Sequence, residues 1–217
     1  MKNVLFLLIV FLPFAATAQE EDNVIFQWAF GAMVGTGQKH FTTVTRDTVV
    51  NDGDEMKFFI MMQKLCYVYV IYQNTTGGVE LLFPYSLDQF EKDWKVNKNY
   101  FIPRRGWFVL DKNKGKETYH VLAASERLKE LEDVVIKYRN APDADRLTVA
   151  GEVITSIRDT RKKFKTSSTL GERPISIGGN VRGTKTEDKT RHPDVSDFAI
   201  EIKANNFYAK TFTLDHK

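Results

Sequence analysis

The stretch Gly53–Pro84, GDEMKFFIMMQKLCYVYVIYQNTTGGVELLFP, decides the fold class. Met56, Phe58, Ile60 and Met62 alternate with Lys57, Phe59, Met61 and Gln63. That period of two predicts a strand with one core face and one face only partly covered. Leu65 to Tyr72 is apolar on both faces, with Cys66, Val68 and Val70 pointing one way and Tyr67, Tyr69 and Ile71 the other, the mark of a central strand. Asn74-Thr75-Thr76-Gly77-Gly78 predicts a hairpin loop, with Val79, Leu81 and Phe83 beginning the return strand. Pro84 ends it, because proline cannot donate to a ladder. Three consecutive strands at the centre of a β fold are expected.

Upstream, Asn51-Asp52-Gly53-Asp54 is a turn signal, and the β-branched run Phe41–Val50 predicts one strand before it. Asn23–Ala32 predicts a first strand with Trp28 and Phe30 on one face, ended by Gly35-Thr36-Gly37. Ahead of that, Lys2, the apolar run Val4–Phe14 broken only by Pro13, and Ala16-Thr17-Ala18 have the layout of a secretory signal peptide cleaved after Ala18. The run is shorter than the about 20 apolar residues that cross a bilayer. With no cysteine near the cleavage site, a lipoprotein anchor is not supported. The expected organisation is a leader over 1–18 and a single domain over 19–217, exported to the periplasm or secreted, with no transmembrane span. Cleavage removes one charge, Lys2, from a net of +3, which leaves +2, too mild to imply nucleic acid. The lone Cys66 excludes an intramolecular disulfide, so stability must come from the core.

Downstream, Tyr85–Asn99 reads as a surface loop clasped by Phe90 or Trp94, and Tyr100–Pro103 as a short extended piece. Trp107–Leu110 and Glu117–Ala124 are expected to form a hairpin across Asp111–Lys116. The period then changes to helical. Ser125 is the expected N-cap of a helix carrying Leu128, Leu131, Val135 and Tyr138 and ending near Asn140, before Pro142. Asp143 or Asp145 would cap a second, with Leu147, Ala150, Ile154, Ile157 and Phe164 as its apolar positions and Arg161, Lys162 and Lys163 in its last turn. This helical hairpin, about 126–165, is expected to lay its apolar stripe on the sheets. A Ser-, Gly- and charge-rich loop, about 166–197, follows, with a short strand at Pro174–Val181 and a mobile Arg182–Asp194. Phe198, Ile200 and Ile202, the turn Asn205-Asn206, and Phe207–Leu214 return to β. About ten short strands with one helical pair predict a mainly β, antiparallel two-sheet β-sandwich with an inserted α-helical hairpin, a partly open barrel being the alternative.

Asp47-Thr48, Gly53-Asp54, Lys57-Phe58, Tyr67-Val68-Tyr69-Val70, Gly78 and Leu82-Phe83-Pro84 follow one another in an order that resembles the domain-of-unknown-function family 4384. Ile102-Pro103, Phe108-Val109-Leu110, Gly115-Lys116-Glu117 and Val121-Leu122-Ala123-Ala124-Ser125-Glu126 continue the resemblance, which covers about Thr45 to Leu131. Trp28-Ala29-Phe30-Gly31 and Phe207-Tyr208-Ala209-Lys210-Thr211 are similar to flanking pieces of exported versions from Gram-negative bacteria. The resemblance implies a β-rich, extracytoplasmic accessory domain, and it supplies no catalytic residues to carry over.

The residues themselves point to no catalytic, cofactor or metal site. His40, His120, His192 and His216 are scattered without ligand spacing. Cys66 sits mid-strand and reads as a buried small hydrophobe rather than a nucleophile. Asp111, Asn113 and Gly115 imitate part of a calcium loop but lack the completing glutamate, and a turn explains them. Gly31, Gly35 and Gly37 lack dinucleotide spacing, and Ser125, Ser156 and Ser167 lie on no nucleophile elbow. Two features remain for partner contact. One is the basic stretch Arg158–Arg191, with ten Lys/Arg against four Asp/Glu. The other is the loop aromatics Tyr85, Trp94, Tyr100 and Trp107. Trp94, Tyr100, Trp107, Arg161, Lys162, Lys163 and Lys165 are the candidate contacts. The expected function is an exported, non-catalytic envelope module that binds a protein or cell-surface polymer. The alternative is a hydrolase or small-ligand binder with a pocket between sandwich and helices.

Overall fold

The computed structural model describes residues 23–164, 171–173 and 192–217. The expected leader, Lys165, the strand expected at Pro174–Val181 and most of the basic loop lie outside the described residues. The first half of the chain supplies β1 (Val24–Val34), β2 (His40–Thr43), β3 (Thr48–Val50), β4 (Glu55–Met62), β5 (Tyr67–Gln73) and β6 (Val79–Phe83). After a short helix α1 (Gln89–Lys92) come β7 (Tyr100–Ile102), β8 (Phe108–Val109) and β9 (Gly115–Ala124). The helical pair α2 (Lys129–Asn140) and α3 (Arg146–Phe164) follows, then β10 (Gly171–Arg173), a 3-10 turn at Val195–Phe198, β11 (Ile200–Ala204) and β12 (Phe207–His216).

Two sheets face each other, as the alternation predicts. The first, sheet A, runs β10-β11-β1-β4-β7, with β2 paired to β1 and β8 to β4. The second, sheet B, runs β3-β12-β9-β5-β6. The ladders are antiparallel except that of β3 with β12. The sheets do not close into a barrel. Between them lie Phe26, Trp28 and Phe30 of β1, Met56, Phe58 and Ile60 of β4, Val68 and Val70 of β5, and Tyr208, Phe212 and Leu214 of β12. Phe30 stacks on Phe58 with ring centroids 3.8 Å apart, and Tyr119 and Phe212 close the cluster around them. Truncating one such ring to alanine typically costs about 3–5 kcal/mol.

The two-sided apolar pattern of β5 has a direct cause. Val68 and Val70 face sheet A, while Tyr69 and Ile71 face the helices. There they meet Leu131 and Val135 of α2 and Ala150, Val153, Ile154 and Ile157 of α3. At the centre of this seam the Tyr69 hydroxyl donates to Glu132 Oε1 at 2.7 Å and accepts from the Leu128 N–H at 3.0 Å. Arg127 clamps the same carboxylate through Nη2 at 2.6 Å and Nε at 3.0–3.1 Å. Burial alone would push the Glu132 carboxyl up; the hydrogen bonds from Arg127 and Tyr69 win and hold it below its ordinary value.

Several expectations are corrected. Phe41–Val50 is not one strand but β2 and β3, which belong to different sheets. The three strands of Gly53–Pro84 likewise divide, β4 in sheet A and the β5–β6 hairpin in sheet B, with β6 at an edge. Trp107–Leu110 and Glu117–Ala124 form no hairpin, since β8 pairs with β4 whereas β9 pairs with β5 and β12. Alternation reports which face is buried, and both sides of a sheet-switching loop satisfy it equally. Tyr85–Asn99 contains α1, whose Phe90 packs edge-on against Tyr67 and Tyr69. Ser125 does not cap α2; its N–H bonds Asn206 O at 3.0 Å, and Leu128 is the N-cap. Leu147 is exposed, and Val149 and Val153 take its place on the buried stripe. Phe198 lies in the 3-10 turn rather than in a strand, and the turn's Val195 covers the outer face of β4 beside Ala29 and Phe59.

Candidate functional site: a carboxylate-lined cleft at one end of the sandwich

The two sheets part at the end where β5 stops and β9 begins. A cleft of about 390 Å³ opens there. Sheet B contributes Tyr72, Glu80, Leu82, Glu117 and Tyr119, and the sheet A side contributes Met56, Phe108, Val109 and Leu110. Its rim is two braced loops. Asn74 Oδ1 accepts from the N–H of Thr76 at 3.1 Å and of Gly78 at 2.7 Å. Asp111 Oδ1 accepts from the Asn113 N–H at 2.8 Å, and its Oδ2 from Asn113 Nδ2 at 2.5 Å. Side chains that bond back to their own loop hold it in one conformation.

Glu117 is the chemical centre. It has the strand parity of Tyr119, Val121 and Ala123, so its side chain points between the sheets, and it is 4% exposed. Two tyrosine hydroxyls and an imidazole meet it: Tyr72 hydrogen-bonds the carboxylate, the Tyr119 hydroxyl donates to Oε2 at 3.4 Å, and His216 Nδ1 stands 3.8 Å from Oε1. His216 is itself buried at the end of β12, and its Nε2 lies 2.8 Å from Asp52 Oδ1 in the turn before β4. Among the described residues, His216 Nδ1 has no hydrogen-bond partner. The result is a chain of Asp52, His216 and Glu117 running from the surface to the cleft. Burial pushes the Glu117 carboxyl above its ordinary value, and the nearby His216 offsets this only in part. Tyr72, whose ring lies 4.9 Å from that of Tyr119, has its hydroxyl raised as well, by burial and by Glu117.

Behind the rim, Asp54 is 1% exposed and acts as a brace. Its carboxylate accepts from the N–H of Gly35 at 3.0 Å and of Asn51 at 2.8 Å, tying the β1–β2 turn to the turn that carries Asp52. Its carbonyl accepts from the Leu110 N–H at 2.9 Å, which fixes the end of β8.

The sequence-derived contact residues fall elsewhere and in three separate places, Trp94 with Tyr100 at the sandwich edge, Trp107 on sheet A, and Arg161, Lys162 and Lys163 on α3. Trp94 donates its indole N–H to Cys66 O at 2.8 Å and packs against Phe83, Phe90 and Tyr100. Tyr100 is 3% exposed; its hydroxyl accepts from the Lys95 N–H at 2.9 Å and donates to Asp93 O at 3.1 Å. Both are clasps on the sandwich edge, and Tyr100 presents no surface. Tyr85 belongs to the same edge, donating to Phe101 O at 2.6 Å under the Arg104 guanidinium. Trp107 is half-buried on the outer face of sheet A, between Phe41 and His192. On α3, Arg161 donates to Thr211 Oγ1 at 3.1 Å, Lys162 pairs with Asp159 and Lys163 with Glu130. Cys66 is buried, and loss of solvent pushes its thiol up to about 12, so it is no nucleophile at neutral pH.

Among the described residues, no group of three or more His, Cys, Asp and Glu is placed to hold a metal ion, and no helix is long and apolar enough to cross a membrane. No curated protein and no solved structure gives a significant match to the chain. A family match does exist, and it runs from within β3 to just short of α2, taking in the cleft-lining residues and Asp52 but not His216. Over residues 49–127 the chain matches the family described as Domain of unknown function (DUF4384).

Proposed function

We propose that the chain is an exported, non-catalytic interaction module of the bacterial cell envelope, holding a protein or cell-surface partner at the cleft end of its sandwich. The observation that carries this reading is the cleft itself. Two braced loops stand on the ends of β5 and β9, strands paired on both sides, so the rim is held by the rigid part of the fold. The mixed lining, apolar on the sheet A side and carboxylate-bearing on the sheet B side, is the composition of a recognition site. The export half of the reading is supported by the leader-like residues 1–18. A photo-crosslinking residue placed at Asn113 on the rim, in the native cell, is expected to give a discrete adduct in the envelope fraction. The same residue at Thr155, on the exposed face of α3, is expected to give none. Indistinguishable adducts from both positions, or an uncleaved chain confined to the cytoplasm, would refute the proposal.

Glu117 favours a second reading, hydrolysis. A carboxyl raised by burial, in a cleft with Asp111 and Glu80, has the makings of a general acid. On that reading the reaction would take place at the end of the sandwich, since apolar side chains fill the seam beneath the helices. Turnover of a panel of chromogenic glycosides and esters that is abolished in Glu117→Gln would establish it in place of the first reading.

A further inference from the structure

We infer that the cleft is a receptor for a cationic group, an ammonium or guanidinium on an apolar stem, with Glu117 as its buried counter-charge. The inference rests on the cleft being the binding end of the module, and it names the chemistry bound there. A carboxylate can accept about four hydrogen bonds. Glu117 has hydrogen bonds from the Tyr72 and Tyr119 hydroxyls, the latter long, and an imidazole nitrogen beyond bonding distance. Two neutral donors leave about half of its capacity open and bring no charge, whereas a buried carboxylate is ordinarily paired with a cation. The other acidic residues of the lining do not relieve it. Asp111 is bonded by the neutral donors of Asn113, and Glu80 adds a further negative charge. Among the described residues, no lysine or arginine lines the cleft. Even with His216 protonated, one imidazolium faces the four carboxylates of Asp52, Glu80, Asp111 and Glu117.

The unpartnered His216 Nδ1 is a second, independent sign. With Nε2–H donating to Asp52, a neutral ring aims its Nδ1 lone pair at the Glu117 carboxylate, which is repulsive unless a proton sits between them. A bound cation at Glu117 removes the need for that proton. Tyr72 and Tyr119 add aromatic rings suited to an ammonium or guanidinium. Met56, Leu82 and Phe108 provide an apolar wall for a methylene stem. The volume of about 390 Å³ is that of a small-ligand site and exceeds what one basic side chain needs.

The test uses the mature chain, titrated with N-acetyl-lysine amide, N-acetyl-arginine amide and their neutral counterpart N-acetyl-norleucine amide, read by amide chemical shifts and calorimetry. Expected is saturable binding of the cationic probes with shifts at Tyr72, Glu117 and Tyr119, and at least ten-fold weaker binding of norleucine amide. Glu117→Gln should weaken the cations at least ten-fold and leave norleucine amide unchanged. Asp111→Asn, a rim change outside the core, should weaken them by a smaller factor and so serves if Glu117→Gln alters folding. Pentylamine separates the sources: weaker than lysine amide if the natural occupant is a polypeptide side chain, equal to it if a free amine. Norleucine amide binding as well as lysine amide, or no loss in either variant, overturns the inference. A rim crosslink without cation preference removes this inference and leaves the module reading; cation binding without a crosslink does the reverse.

Discussion

Tyr69→Phe removes one oxygen from the seam between sheet B and the helices, and the structure says what that oxygen holds. Tyr69 is 1% exposed and Glu132 is 3% exposed, so water does not replace the lost bonds. Two are lost: the donation to Glu132 Oε1, a bond to a charged acceptor, and the acceptance from the Leu128 N–H at the start of α2. A hydrogen bond to a charged group contributes about 1.5–3 kcal/mol, and a buried donor left unpaired costs about 1–3 kcal/mol. Arg127 keeps its hold on the carboxylate, which limits the loss to the lower part of each range. The expected destabilisation is about 2–4 kcal/mol. For a domain of this size that lowers Tm by about 5–15 °C, at about 2–4 °C per kcal/mol. Guanidinium unfolding followed by far-UV circular dichroism measures it. The pH dependence supplies a second check. Because the folded Glu132 carboxyl is held below its ordinary value, its contribution is present above the unfolded pKa and is lost as pH falls through the folded one. The gap between wild type and variant should therefore shrink in acid. A loss under about 0.5 kcal/mol, the level of an ordinary surface change, would refute the claim that this network docks the helices.

Three further outcomes are expected. Glu117→Gln should raise stability at neutral pH and leave it unchanged in acid, read as Tm against pH. The sign follows from a raised folded pKa: the stability associated with protonated Glu117 is complete below the unfolded value and is lost as pH rises through the folded one, a loss glutamine escapes. Cys66, buried with its thiol pushed up to about 12, should react with a disulfide reagent only as fast as the chain unfolds, so rapid labelling of the native protein would contradict its placement. Gly31→Ala puts a Cβ 2.5 Å from the Phe41 ring and 3.3 Å from Val195 Cγ1, so it should cost about 1–3 kcal/mol by overpacking in denaturant melts, and Phe41→Leu should recover part of it.

Much of the strand content could be read from alternation. The parity that put Phe58 and Ile60 on one face and Tyr69 and Ile71 on another holds in the structure, as does the hairpin at Asn74–Gly78. The helical pair was legible from spacing at 3.6 residues, although α3 buries Val149 and Val153 and leaves Leu147 in solvent. That stripe is turned by what α2 and sheet B offer it, and a single helix's sequence does not carry that information. The candidate cleft lies apart from the contact residues expected from the sequence, yet half of it has a sequence signal. Glu117 occupies an inward position in a strand that continues with Tyr119, Val121 and Ala123, and a carboxylate on a core face calls for an explanation. His216 follows Leu214 at the same parity in β12. Large rings near turns read alike in a sequence whether they clasp a sheet edge, as Trp94 and Tyr100 do, or face solvent.

The class of the fold, the faces of its strands and the presence of a helical insert are legible in residue order, because side-chain period and turn chemistry are local properties. Which sheet each strand joins is a long-range property and emerges with the folded chain. Partner choice is made by surfaces far apart in the chain: β1 lies between β4 and β11, and β9 between β5 and β12. The same long-range choice brings Asp52, Glu117 and His216 together at the end of the sandwich. Such a site is written in pairings and not in any one stretch.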